Sequence, residues 1–374
     1  MGYFAVLKPA DADEGAGFSV TRCHINLWVL RSFIPGRRLL YFDLGLEISA
    51  TGTQPVKAVE LLLPFEVEDG FSGDQFRRCM DLYDTLFHPE TAELVFGEPV
   101  TISGTAPNQI LALASGDEFH PRHIDTARVA AIPGEPPRSS CYLVPLTSPL
   151  AGGSTAYVRF RFRVFANRPL LTPRSVFGGV ILDFRIADVR ESRNRTKEAS
   201  LRPRMVPINA VNFFAMLPDQ YQMLTASSQP RNMRILETRA WSTYLKRVAY
   251  MHPSNTQLVY YWRSNAGSEV SSDNPFRVFA TYDRHLNKAK IAFWSVVGLL
   301  LVAGLVRSGW IPGITADTIR SALRPLQTFL SLLTMAGVIT ATRVIFGFAM
   351  NRFAKLRLAA RWVERLLLGR RLGP

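Results

Sequence analysis

Residues 156–165, AYVRFRFRVF, decide how the chain is read. Side chains alternate across a strand, so Tyr157, Arg159, Arg161 and Arg163 fall on one face and Val158, Phe160, Phe162 and Val164 on the other. The apolar face must meet a core. Three like charges side by side repel, so the cationic row has to be relieved. Water, carboxylates on neighbouring strands such as Asp43, Glu47 or Asp183, a bound anion, or a membrane surface would each do so. Tyr157, Arg159, Arg161 and Arg163 are accordingly the candidate ligand-binding residues, and the expected ligand is an anionic small molecule or an acidic partner.

The same alternation spreads outward from this strand. Residues 39–48, LLYFDLGLEI, read as a strand, and the turn cluster ATGTQP leads to a second at 56–63, VKAVELLL, which suggests a hairpin. Further strands are expected at 19–30, 94–102, 157–165, 180–186, 208–216, 257–262 and 277–282. Helices are expected at 74–87, where Phe76, Cys79, Met80, Tyr83 and Phe87 share a face, and at 234–250, with Leu236, Ala240, Tyr244 and Val248 at helical spacing. Strands this numerous and short, without alternating helical patterns, predict a mainly β, antiparallel β-sandwich-like domain over 1–284 rather than a doubly wound parallel sheet. Two stretches, 103–140 and 190–204, are rich in turn-forming or charged residues and are expected to be mobile loops.

The C-terminal region has a different texture. Residues 291–306, IAFWSVVGLLLVAGLV, and 325–342, PLQTFLSLLTMAGVITAT, are long apolar runs bounded by cations. As helices they would be about 24 and 27 Å long, near the roughly 30 Å hydrocarbon core of a bilayer. A transmembrane hairpin is therefore expected within 285–350, with spans at about 290–307 and 324–345. Arg343 would lie at the edge of the second span or inside the membrane, which makes it a candidate for membrane function. Cations are dense before the first run and after the second and sparse between them, which predicts cytoplasmic termini on a multi-pass protein of the cell (inner) membrane. Over 351–374, Phe353, Leu356, Ala360, Val363 and Leu367 recur at helical spacing opposite Arg357, Arg361 and Arg365. That is a basic amphipathic helix, suited to an anionic leaflet.

Charge and motifs narrow the function classes. Lys and Arg number 44 against 30 Asp and Glu, giving a net charge of +14. Beside a membrane such a surface is drawn to anionic lipid. Nucleic acid is not expected as a partner, because no aromatic stacking motif accompanies the charge. Three separated cysteines fit a reducing compartment. His120, His123 and Asp125 share a loop, but Pro121 opposes a helix that would align them, and no CxxC or HExxH completes a metal site. GxSxG, Walker and dinucleotide fingerprints are also absent. No cofactor and no catalysis are expected. The expectation is a cytoplasmic β domain that senses a ligand or partner, joined to a membrane hairpin and acting as an oligomer or with a protein partner. Membrane-perturbing effectors of bacterial antiviral (anti-phage) defence have this layout. A static scaffold recruiting a complex to the membrane is the alternative, and a membrane-associated metal-dependent hydrolase using His120 and His123 the third.

Overall fold

The computed structural model describes residues 3–12, 15–31, 38–68, 79–105, 108–132, 140–164, 170–174, 179–188, 199–236, 241, 244–245, 256–265 and 267–284. The chain divides into two compact units, Met1–His285 and Leu286–Pro374. The expected spans at 290–307 and 324–345, Arg343 and the basic tail at 351–374 all lie outside the described residues. Among those residues no helix is long and apolar enough to cross a membrane.

The first unit is mainly β, with several antiparallel and mixed sheets. Its strands are β1 (Ala5–Leu7), β2 (Phe18–Arg31), β3 (Arg38–Ala50), β4 (Val56–Leu63), β5 (Cys79–Asp81), β6 (Val100–Ser103), β7 (Ile110–Leu113), β8 (Glu118–Phe119) and β9 (Ala130–Ala131). They continue as β10 (Ser140–Leu150), β11 (Thr155–Arg163), β12 (Leu171–Pro173), β13 (Val180–Ile186), β14 (Ile208–Pro218), β15 (Tyr221–Ala226), β16 (Asn232–Leu236), β17 (Gln257–Arg263) and β18 (Phe276–Arg284). A seven-stranded sheet in the order β16-β17-β14-β2-β3-β11-β5 forms the centre. Two four-stranded sheets, β1-β4-β10-β9 and β12-β13-β18-β15, and a three-stranded sheet, β6-β7-β8, accompany it. All pairings in the central sheet are antiparallel except β14 with β2.

Strict alternation gives this sheet two different faces. Ile25, Leu27, Phe42, Leu44, Val158, Phe160, Phe213 and Ala215 enter one core with Leu61 and Val144 of the β1-β4-β10-β9 sheet and with Leu182, Phe184 and Ala280 of the β12-β13-β18-β15 sheet. Each of these side chains is buried, and burying a large aliphatic or aromatic one contributes about 1.5–3 kcal/mol. The opposite face packs Trp28, Tyr41, Tyr157 and Met216 against a second cluster. That cluster is built from Leu82, Leu86, Val95, Leu111, Phe119, Trp241 and Tyr244, from the helical segments and the small sheet.

Several expectations are corrected. The strands at 39–48 and 56–63 exist, but they are not a hairpin. Both hydrogen-bonding edges of β3 are taken, by β2 and β11, so β4 crosses to another sheet and pairs with β1 and β10. The stretch 94–102 is not one strand. Pro89 opens a short helix, α1 (Pro89–Phe96), which Gly97 closes at φ 81 in the left-handed region that glycine tolerates, and β6 follows. In the 74–87 stretch, residues 79–81 form β5 on the free edge of β11 and Tyr83–Phe87 form a 3-10 turn; residues 74–78 lie outside the described ones. Residues 234–236 of the second expected helix belong to β16, whereas Trp241, Tyr244 and Leu245 are helical. The 103–140 stretch carries β7, β8 and β9.

Candidate functional site

The polar face of the central sheet is a set of cross-strand rows. Register places Arg263, Asn212, His24, Gly45 and Arg159 in one row, and Tyr261, Phe214, Asn26, Asp43 and Arg161 in the next. At the β11 end these rows are closed over. Arg159 and Arg161 are 1% and 0% exposed, and Asp43 and Tyr157 are each 0% exposed.

Buried charge at this depth needs partners, and the rows supply them. Arg161 grips Asp43 with two parallel bonds, Nε to Oδ1 at 2.5 Å and Nη2 to Oδ2 at 2.7 Å. Trp28 Nε1 and the Tyr244 hydroxyl also donate to Asp43 Oδ2, at 2.8 and 2.7 Å. Arg159 has no carboxylate in direct contact among the described residues. Its Nε donates to the Tyr244 hydroxyl at 3.1 Å and its Nη1 to the Tyr157 hydroxyl at 3.2 Å. With the Asn26 amide turned so that its oxygen accepts, Nη2 donates there at 3.0 Å. Since the Tyr157 hydroxyl accepts from Arg159, its own proton is available for His24 Nδ1, 3.1 Å away. That leaves the ring proton on Nε2.

Glycine at position 45 makes this junction possible, because a Cβ there would overlap the Tyr157 hydroxyl. Burial is the strongest influence on His24, and Arg159, Arg22 and Arg263 act in the same direction, so its pKa is lowered to about 3. The ring is neutral at physiological pH. Burial likewise raises the Tyr157 and Tyr244 hydroxyls, which therefore stay protonated as donors.

At the β14–β17 end the rows emerge into a groove of about 700 Å³ between the central sheet, the end of α1 and the small sheet. His24 and Asn212 lie along it, with Phe214 and Tyr261 as a near-parallel ring pair, centroids 4.6 Å apart at 13°. The Tyr261 hydroxyl donates to Asn212 Oδ1 at 2.7 Å. Exposed Arg234 and Arg263 stand at the groove and form no ion pair among the described residues. The acidic groups on the far wall are already engaged. Glu98 accepts from Ser115 N and Oγ, and Asp117 binds Arg22 Nη2 at 2.7 Å while Arg22 also pairs with Glu47.

The cationic row of β11 is thus divided. Tyr157, Arg159 and Arg161 come together in the closed network, and Arg163 pairs with Glu68 at 2.7 Å, partly exposed. Of the carboxylates weighed as partners, Asp43 binds Arg161, Glu47 binds Arg22 and Asp183 binds Arg185. His123 Nδ1 meets Asp81 Oδ2 at 2.8 Å beside the Tyr83 ring. Among the described residues no group of three or more metal-ligating side chains forms. The residues that sequence reasoning passed over are His24, Asn26, Asn212 and Arg263. The signal for His24, Asn26 and Arg263 was the alternation of polar residues along β2 and β17, visible in RCHINLW and YYWR as every second position; Asn212, on β14, sits in the apolar stretch INAVNFFAM and carries no such signal.

No family model and no curated protein matches the chain. Among solved structures it is similar to a two-domain M1 zinc metallopeptidase mutant bound to L-tryptophan, at 14% identity and a TM-score of 0.31 over 73% of this chain and 44% of that one. An M1 zinc metallopeptidase from Deinococcus radiodurans is similar at 12% identity and 0.30, over 71% and 42%. The chain spans less than half the length of these structures, and at such scores the likeness carries no argument about activity.

Proposed function

We propose that the chain is a non-enzymatic, membrane-anchored sensor or effector. Its cytoplasmic β domain, whose stacked sheets we read as sandwich-like, binds an anionic ligand and acts through a transmembrane hairpin at about 290–307 and 324–345. The basic tail at 351–374 lies along the anionic leaflet of the cell membrane, with both termini cytoplasmic. The observation that carries this reading is the pair of apolar, cation-bounded runs placed directly after a β unit that ends at His285. The groove beside Arg263 supports the ligand half: it is concave, lined with aromatic and polar groups, and of the size typical of small-molecule sites. In this reading Arg159, Arg161 and Tyr157 act behind the ligand, linking the groove through His24 to the helical segment of Trp241 and Tyr244. A membrane-perturbing role in bacterial defence follows the architecture alone.

Expression of the full chain in bacteria tests it. Loss of membrane potential that disappears on truncation after Arg284, but persists in His123→Ala, is the expected result. A full-length chain that fractionates with soluble protein would end the membrane reading. A harmless chain that co-purifies with one partner at fixed stoichiometry would favour the static scaffold.

A further inference from the structure

The groove is more specific than its volume. Two guanidinium groups, Arg234 and Arg263, stand exposed at it without an ion-pair partner among the described residues. The network behind it holds Arg159 and Arg161 against the single carboxylate of Asp43, so the interior adds a net positive charge on that side. In a low-dielectric setting that excess raises the attraction for an anion above what two surface arginines supply. A simple oxyanion would occupy only a fraction of about 700 Å³. Much of the remaining wall is aromatic, with Phe96, Phe119, Phe214 and Tyr261 along it, while Glu98 and Asp117 on the far wall are held by Ser115 and Arg22. Asn212 gives its amide oxygen to Tyr261, which leaves its NH2 as a donor, and Asn232 lies at the exposed rim.

We propose that this groove binds a nucleotide, its phosphate on Arg263 and the Asn212 amide of one cross-strand row, its base over the Phe214–Tyr261 pair of the next row, and Asn232 and Arg234 at the base's far edge. The chemistry asks for charge at one end, a flat hydrophobic body and polar edges, which an acidic peptide or an isolated phosphate does not combine. Arginine suits the phosphate because its planar fork matches two oxygens at once. The inference rests on the reading of the β domain as a ligand sensor and goes further by naming the ligand class and the residues that hold it.

The test is calorimetric titration of the full chain in detergent micelles with the ribonucleoside monophosphates of adenine, guanine, cytosine and uracil. Inorganic phosphate, the parent nucleosides and an oligoglutamate peptide are the comparisons. At least one monophosphate should bind, with phosphate and the matching nucleoside each weaker by about tenfold or more. Arg234→Glu combined with Arg263→Glu should weaken that nucleotide by about tenfold or more while the thermal unfolding midpoint stays in place. If that double variant unfolds, Arg263→Gln alone, at an exposed side chain, removes the charge that meets the phosphate with less disturbance and should still weaken the nucleotide by about fivefold or more. No monophosphate binding above phosphate, binding indifferent to these substitutions, or a preference for the peptide would each overturn the proposal. Binding and membrane potential are read separately. Nucleotide binding without a membrane effect leaves this inference standing and removes the effector reading, and a membrane effect without nucleotide binding does the reverse.

Discussion

Asp43 is the residue on which the closed network turns. It is 0% exposed and accepts from Arg161, Trp28 and Tyr244 at once. Asp43→Asn leaves the Arg161 guanidinium buried without its counter-charge, which should cost about 3–5 kcal/mol. Urea titration of the full chain in detergent, followed by tryptophan fluorescence, reads this directly because Trp28 is one of the donors. A loss below about 1 kcal/mol would show that the pair is dispensable. His24 makes a second prediction. Unfolded, it takes up a proton below its ordinary pKa of 6.5; folded, burial holds it neutral down to about 3. The unfolded state binds the extra proton between those values, so the stability that neutral His24 contributes is complete above about 6.5 and is lost as pH falls toward about 3. His24→Gln keeps an acceptor for Tyr157 and removes the titration. Its denaturation midpoint should therefore fall less steeply with acidification than that of the parent, and parallel curves would refute the assignment.

Elements were legible wherever alternation was strong. The β13 and β4 bounds match the expected 180–186 and 56–63, β2, β3, β14, β17 and β18 extend only a few residues beyond theirs, and β11 is shifted two residues toward the N-terminus of the expected 157–165. Pairing was not legible, because a turn such as ATGTQP specifies that the chain reverses and says nothing of which edge is vacant. Short helices failed for a related reason. Residues 79–81 have helical spacing of apolar groups, yet the open edge of β11 offered them a ladder. The other edge of the central sheet is β16, which pairs only with β17 among the described residues and exposes Met233 (58%) and Ile235 (65%). An edge strand with such side chains favours pairing between copies. Ile235→Lys should lower self-association in sedimentation velocity while changing stability by no more than about 0.5 kcal/mol. Unchanged association would place any oligomer contact elsewhere.

At the scale of the whole molecule, charge was legible and its placement was not. The net charge of +14 and the arginine row of β11 were plain in the sequence. Whether a guanidinium ends in a core or at a rim depends on what other elements bring over it. Here the helical Trp241 and Tyr244, far along the chain, close over Arg159 and Arg161, with centroids of the Trp28 and Trp241 rings 5.0 Å apart. The groove assembles from β2, β14, β16 and β17, the end of α1 and the small sheet, so no single stretch of sequence contains it.

The one parallel ladder of the central sheet carries a consequence for biogenesis. Val20 in β2 pairs with Ile208 in β14, so the middle of the sheet closes late, after most of the domain has left the ribosome. Until then one backbone edge of β2 has no mate, and non-local closures of this kind are slow and exposed to mispairing. The nascent chain therefore carries an open seam through most of its synthesis, and a chaperone that shields strand edges would raise its yield more than one that protects loops.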